Sequence, residues 1–507
     1  LWISGHAARI IGWRIVRGKP DWLMTSGCPI LADNDKLTET LDSSASRRPM
    51  PWLTERSPRI TENRLQLLME RTIAEARFRI GPRPRRILLL PPDITRMHSG
   101  AGRLTEMLFK LLADDADVHV IPTLGQHVPH TRDDNRRMFG SIPAQRIHVH
   151  DWREGCVNVG EIPAEQVRGI TAGAADWAIP ISLSRMLMEG KWDLIVNIGH
   201  VVPHEVLGFA NHNKNYFIGL GGKDTICASH MAAACCGIEN NLGRLLTPLR
   251  EILNLAESRF LAGLPDVYIL LVTAQAAAAA CENDEARPGS DGQQPASAAG
   301  TGGSSFLTAT GLYVGDDLPT YTAAARHSRE VNITLLDEPV QKVVCLMQGD
   351  EFHSTWVANK AIYRTRLALA DGGELVIIAP GLRRFGEQPE VDALIRRHGY
   401  CGTPRVMKAY QQGAENGESE SLYNYAHAAA HLINGSTEGR FRVTYAPGHL
   451  TQAEIENVGY EFATVESVVS RYRPQECRPG WNATDDGESF YFIPTPAAGL
   501  WTAKGRR

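Results

Sequence analysis

Three short runs of residues concentrate chemically useful side chains: Asp93 to Arg96, Gly125 to His127, and the stretch from His200 to His230. The last is the densest. It places His200, His204, His212, Lys214, Lys223 and His230 within thirty-one residues. Imidazole titrates near neutrality and binds nickel, copper, iron and zinc alike, so this clustering suits proton transfer or metal binding without naming the metal. The better-known alternatives lack their residues. A Walker A loop needs Gly and then Ser or Thr where Phe217 and Asp224 stand around Gly222-Lys223. No GxGxxG opens a helix after the first strands, and GxSxG and HExxH are both missing. An ordinary nicotinamide Rossmann site, a serine-hydrolase elbow and a zincin helix are therefore set aside.

The elements that position these residues are legible from hydrophobic periodicity. Ile87 to Leu90 reads as a strand stopped by Pro91-Pro92, and Leu104, Met107, Leu108, Leu111 and Leu112 follow at helical spacing. Val118 to Ile121, Ile147 to His150 and Leu194 to Ile198 repeat the pattern. Strands alternating with helices predict an α/β fold of two lobes with mostly parallel sheets. In such sheets ligands bind beyond the carboxyl ends of the strands, where all three chemical runs fall, so an interlobe cleft is expected to hold the site. A helical span near Asn241 to Phe260 closes the first lobe. In the second, Tyr268 to Val272, Val343 to Met347, Leu375 to Ile378 and Phe441 to Tyr445 read as strands, and Ala358 to Leu369, Pro389 to Arg397 and Leu422 to Leu432 as helices. The expected division is a poorly ordered extension over 1–58, an N-terminal catalytic lobe over 59–265, and a C-terminal lobe over 266–507 with a flexible Gly/Ser/Ala/Gln/Pro-rich insertion at about 282–305.

Composition narrows the class. The 507 residues carry 53 Lys plus Arg against 57 Asp plus Glu, a net charge of −4, which argues against a nucleic-acid binder. The 9 Cys are scattered without CxxC spacing, so a reduced, cytoplasmic protein is expected. No apolar stretch reaches the roughly 18 residues of a membrane-spanning helix. Small molecules remain the expected partners.

In order and spacing, four segments resemble the lactate racemase family. Asp93-Ile94-Thr95-Arg96 is similar to its DxTR motif, and Gly125-Gln126-His127, with Thr131 behind, to its GxH turn. Pro203-His204 is followed by Gly208-Phe209 and by Lys214, ten residues after the histidine; His230 comes twenty-six residues after His204. Trp356-Val357-Ala358-Asn359-Lys360 is a weaker fifth match, to a Tyr-Gln-x-x-Lys segment.

The resemblance implies a 2-hydroxyacid racemase or epimerase that uses a nickel-pincer nucleotide, a pyridinium bis-thioacid mononucleotide. That nucleotide would be tethered to Lys214, with Thr95 also in its site and His230 on the nickel. Pulling the α proton from a 2-hydroxy acid is hard beside an ionised carboxylate; hydride removal avoids the carbanion. A base must then take the hydroxyl proton, and serving both hands calls for two acid/base groups, for which His127 and His204 are the candidates. Arg96 offers a planar fork for the carboxylate, Asp93 orients a histidine or Arg96, and Lys360 and Trp356 reach the substrate from the second lobe. Cofactor-biosynthesis and nickel-insertion proteins are the implied partners.

Some positions depart from the family pattern. Ala210-Asn211-His212 stands where Ser-Gly-Gly is common, Val128 where an Arg often follows the GxH histidine, and Val357 where the Gln is expected. Asn211, His212 and Asn213 are expected to suit a longer polyhydroxy substrate such as a sugar acid. Two other readings use the same residues: a zinc-dependent hydrolase with an activated water, and a ligand-binding homologue without catalysis.

Overall fold

The structure is a computed structural model, and it describes residues 51–274 and 307–506. The expected insertion at 282–305, and residues 1–50 of the expected extension, lie outside the described residues.

The first sheet is built from β1 (Leu53–Arg56), β2 (Arg86–Leu90), β3 (Asp117–Val120), β4 (Leu194–His200), β5 (Asp266–Ala274) and β6 (Thr308–Gly315). Their spatial order is β1-β6-β5-β4-β2-β3, parallel from β5 to β3 and antiparallel at β6 and β1. Alternate residues of β2 face opposite sides, as the period of two demands: Leu88 and Leu90 join one hydrophobic core, Ile87 and Leu89 another. Both faces are covered. Helix α1 (Ala101–Leu112) seals one with Leu104, Leu108 and Leu112, while the helix over Pro248–Phe260 covers the other with Leu249, Ile252, Leu253 and Ala256. This explains why the central strands read as unbroken apolar runs.

The second sheet contains β7 (Val340–Leu346), β8 (Leu369–Ala379), β9 (Arg442–Pro447), β10 (Glu461–Phe462), β11 (Gly480–Ala483) and β12 (Ser489–Ile493), in the order β10-β9-β8-β7-β12-β11. All its pairs are parallel except β11 with β12. The expected α/β class with mostly parallel sheets is what the structure shows. Helix α2 (Lys223–Cys235) belongs to the first lobe by sequence, yet its Cys227, Met231 and Ala234 are buried in the core of the second, against helix α3 (Ala426–Gly435). The two lobes share a packed seam, and α2 runs through it.

Four expectations need correction. Tyr268 to Val272 lies in the first sheet, joined there by Thr308–Gly315, so the boundary at 265/266 does not separate the sheets. An apolar run announces a strand but not its neighbours. Leu53–Arg56 is a strand of that sheet, paired with β6, and so is no part of a loose extension. Ile147 makes a single bridge to Val120, and His148 to His150 continue without pairing. The helix expected over Ala358 to Leu369 is two short turns, Thr355–Ala358 and Lys360–Thr365, and Leu369 already opens β8.

Candidate active site

β2 delivers its chain to Pro91-Pro92 and then to Asp93, a buried residue that caps the following turn. Its Oδ1 accepts from the Thr95 N–H at 2.8 Å and the Thr95 hydroxyl at 2.6 Å. Its Oδ2 accepts from His127 Nδ1 at 2.6 Å. Burial alone would raise this carboxyl, but the charge and hydrogen bond of His127 outweigh it and hold Asp93 well below the carboxylate range. An ionised carboxylate only accepts hydrogen bonds, so His127 carries its proton on Nδ1 and presents the Nε2 lone pair. The turn that carries His127 depends on Gly125. Its φ is +58°, and a Cβ there would sit 3.0 Å from the Ile218 carbonyl oxygen.

β4 ends at His200, whose Nε2 bonds the Thr273 hydroxyl at 2.7 Å inside the first lobe. His204 follows four residues later and is buried; the Val206 backbone N–H donates to its Nδ1 at 3.1 Å. Burial holds both imidazoles well below their ordinary pKa, so they are neutral at physiological pH. Asn211 and His212 both adopt left-handed backbone, with φ of 71° and 61°, at the two positions where glycine is common in the resembled family. Asn tolerates this region through local hydrogen bonds, here from the His212 N–H to its Oδ1 at 2.7 Å. His212 is held by stacking on Tyr268, ring centroids 4.2 Å apart, and on Tyr321 at 4.9 Å.

Two of the three residues expected to greet a long substrate therefore face the interior. His212 is between tyrosines, and Asn213 bonds Asn254 at 2.7 Å, Glu257 and Arg250. Asn211 alone borders the cavity, its Nδ2 buried and unpartnered against Gly199.

Beyond this turn Lys214 points into the cleft. Burial, aided by the nearby Arg96 charge, lowers its ammonium pKa to about 7. Lys223, the other lysine of the cluster, is the first residue of α2 and lies over the Tyr425 ring at 4.9 Å, away from the cavity. One helical turn after Ile226, His230 Nδ1 donates to the Ile226 carbonyl at 2.8 Å, which leaves its Nε2 lone pair free.

The second lobe closes the site with Trp356, Lys360, Tyr363, His427 and His431. Trp356 stacks on His431 at 4.4 Å, and His431 is fixed by the Tyr363 and Tyr400 hydroxyls at 2.8 and 2.9 Å. Arg364, 1% exposed, reaches across to Glu205 at 3.6 Å. Glu205, Arg364, His427 and His431 were not singled out in the sequence. The i, i+4 histidines of the Ala-rich helix α3 were the one signal that pointed there.

All nine residues expected at the site, Asp93, Thr95, Arg96, His127, His204, Lys214, His230, Trp356 and Lys360, border one cavity of about 130 Å³ between the lobes. Arg96, Lys214 and Lys360 line it with basic side chains, balanced in part by Asp93 and Glu205. Among the described residues, Arg96 has no ion-pair partner within 4.0 Å. A cavity of this kind selects anions, carboxylate or phosphate.

Residues 62–241 match the family model described as the lactate racemase N-terminal domain. Over that stretch the chain is similar to the lactate racemase family. Its fold is similar to that of a Thermotoga maritima protein of known crystal structure, with a TM-score of 0.69 and 21% identity over 89% of this chain and 100% of that one. It is also similar to the lactate racemase apoprotein from Thermoanaerobacterium thermosaccharolyticum, with a TM-score of 0.58 and 13% identity over 90% of this chain and 97% of that one. No curated protein matches the chain in sequence. Among the described residues no helix is long and apolar enough to cross a membrane. No three His, Cys, Asp or Glu side chains among them converge to hold a metal ion.

Proposed function

We propose that the protein is an isomerase that inverts C2 of a 2-hydroxy acid by reversible hydride transfer, with a nickel-pincer nucleotide tethered to Lys214. The observation that carries this reading is the meeting of Lys214, His230, His204 and the Asp93–His127 pair on one cationic cavity.

The residues fit the group. Tethering needs an uncharged amine, and Lys214, with a pKa of about 7, supplies one at neutral pH. The free Nε2 of His230 would supply a protein donor to the nickel that the nucleotide carries. Thr95 and Asn211 supply polar contacts at the wall. When bound, the pyridinium nucleotide supplies a reversible hydride acceptor, which no side chain provides.

The chain's own residues do the rest. Arg96 and Lys360 hold the substrate carboxylate, fixing C2 and its hydroxyl between the two histidines. His127, with Nδ1 held by Asp93, receives the hydroxyl proton at Nε2. His204, Trp356 and Tyr363 border the same space. A second cavity of about 520 Å³ shares Asp93, Thr95 and His127 with the first and is lined by Gln348, Glu351 and Arg384. That polar space supports a substrate longer than lactate, such as a sugar acid. Cofactor-biosynthesis and nickel-insertion proteins are the proposed partners, and the cytoplasm is the proposed setting.

Protein produced together with those assembly enzymes should interconvert the C2 epimers of a panel of aldonates and simple hydroxy acids, read by chiral chromatography. In D₂O the C2 hydrogen should be retained, because hydride does not exchange with solvent. Wash-in of deuterium at C2 would contradict hydride transfer, and activity confined to lactate would contradict the longer substrate.

A further inference from the structure

The second cavity, of about 520 Å³, opens from the first beside Asp93, Thr95 and His127, and other parts of its wall come from the turns that follow two parallel strands of the second sheet. Gln348 and Glu351 stand just past β7, and Arg384 and Glu387 just past β8. Strand ends of this kind are where α/β sheets present ligand-binding side chains. The two cavities differ in charge. Arg96, Lys214 and Lys360 line the first against Asp93 and Glu205. The second is lined by five carboxylates against the guanidiniums of Arg137 and Arg384, with no lysine among the described residues.

Both guanidiniums are already engaged. Arg384 Nη2 pairs with Glu387 Oε2 at 3.2 Å, and Glu387 also accepts from the Ser354 hydroxyl. Arg137 pairs with Asp350 at 3.7 Å, and Glu351 Oε1 meets His98 Nδ1 at 3.2 Å across the lobes. Walls paired in this way offer N–H donors and carboxylate lone pairs side by side, a mixture that suits hydroxyl groups because each of them both donates and accepts. A carboxylate only accepts. Placed here it would give up its water, meet no unpaired guanidinium and face acids of its own sign.

We propose that the second cavity is a subsite for an uncharged polyhydroxy chain, so that the protein takes monocarboxylic sugar acids and rejects sugar diacids, with Glu351 and the Glu387–Arg384 pair as the discriminating residues.

The proposal rests on the reading of the first cavity as a 2-hydroxyacid site and adds to it a rule for the rest of the molecule. The C1 carboxylate goes to Arg96 and Lys360, and the carbons beyond C2 pass Asp93, Thr95 and His127 into the second cavity. Charge then fixes the orientation. One end of the substrate must be an anion and the other must not be.

Gluconate and glucarate make the comparison clean, because they share a carbon chain and differ only at C6, a primary alcohol in one and a carboxylate in the other. Titration calorimetry on protein made alongside the cofactor-assembly enzymes reads their binding without turnover. Gluconate should bind more tightly than lactate, and more tightly than glucarate by about tenfold or more. Glu387→Gln removes one negative charge and releases Arg384, so it should bring the preference for gluconate over glucarate down to roughly threefold or less. Glu351→Gln, which keeps the shape of the side chain, should lower the preference as well. Glucarate binding as tightly as gluconate to the wild type would overturn the proposal, and so would a preference that neither glutamine variant alters. Tighter binding of 6-amino-6-deoxygluconate than of gluconate would overturn the uncharged chain in favour of a cationic one. Lactate binding as tightly as gluconate would remove the subsite and leave the 2-hydroxyacid reading standing. If lactate, gluconate and glucarate all fail to bind, that reading falls and the subsite falls with it.

Discussion

Lys214 illustrates what burial does to a single side chain. With Arg96 nearby and little water around it, its ammonium is destabilised and its pKa falls to about 7, so the amine is charged below that pH and neutral above it. Acetylation of Lys214 by an N-hydroxysuccinimide ester, followed by peptide mass spectrometry, should therefore reach half its maximal rate near pH 7. A rate that rises only near pH 10, the ordinary lysine range, would contradict this environment. The sequence places Lys214 and Lys223 in one cluster; only the fold sends one into the cleft and the other onto Tyr425. Asp93, His127, His204 and His230 were legible because each follows a strand or sits at a fixed spacing. Glu205 and Arg364 were not, because they acquire a role only through each other, across the lobes.

At the level of elements, the turn from Ala210 to His212 adopts left-handed backbone without the glycines that make it easy. Two consecutive left-handed residues carry side chains, and His212 is retained by its tyrosine neighbours. Replacing His212 with Ala removes the stacking and keeps the strained φ, whereas Gly removes both. His212→Ala should be less stable than His212→Gly by roughly 1–2 kcal/mol, read from chemical-denaturation midpoints. Equal midpoints, or a more stable Ala variant, would show that the turn relaxes when the ring is gone. The strands themselves were well announced by apolar runs such as Ile87 to Leu90 and Leu194 to Ile198. Their partners were not: Asp266–Ala274 joins the first sheet because its pairing is decided by register with β4 and β6, which no local pattern encodes. Ile147 to His150 has the composition of a strand but only one bridging residue.

At the scale of the whole molecule the site exists only while the lobes are packed together. Helix α2 carries His230 on a first-lobe element whose Cys227 and Met231 are buried in the second-lobe core. Glu205 and Arg364 meet across the seam at 3.6 Å, with the guanidinium 1% exposed. Glu239 of the first lobe ties to Arg366 at 3.1 Å and to Arg440 at 2.6 Å. Removing one member of a buried pair strands the other charge, so Glu205→Ala should cost about 3–5 kcal/mol and lower the calorimetric midpoint. The double variant Glu205→Ala with Arg364→Met should regain much of the loss. A single variant as stable as the wild type would show that water solvates Arg364. The central claim, that this shared cleft is built around a lysine-tethered nucleotide, has its most direct test in intact mass and metal content of protein made alongside the cofactor-assembly enzymes. The account predicts a covalent adduct lost in Lys214→Ala and one nickel per chain; an unmodified chain, or an adduct that persists in Lys214→Ala, would contradict it.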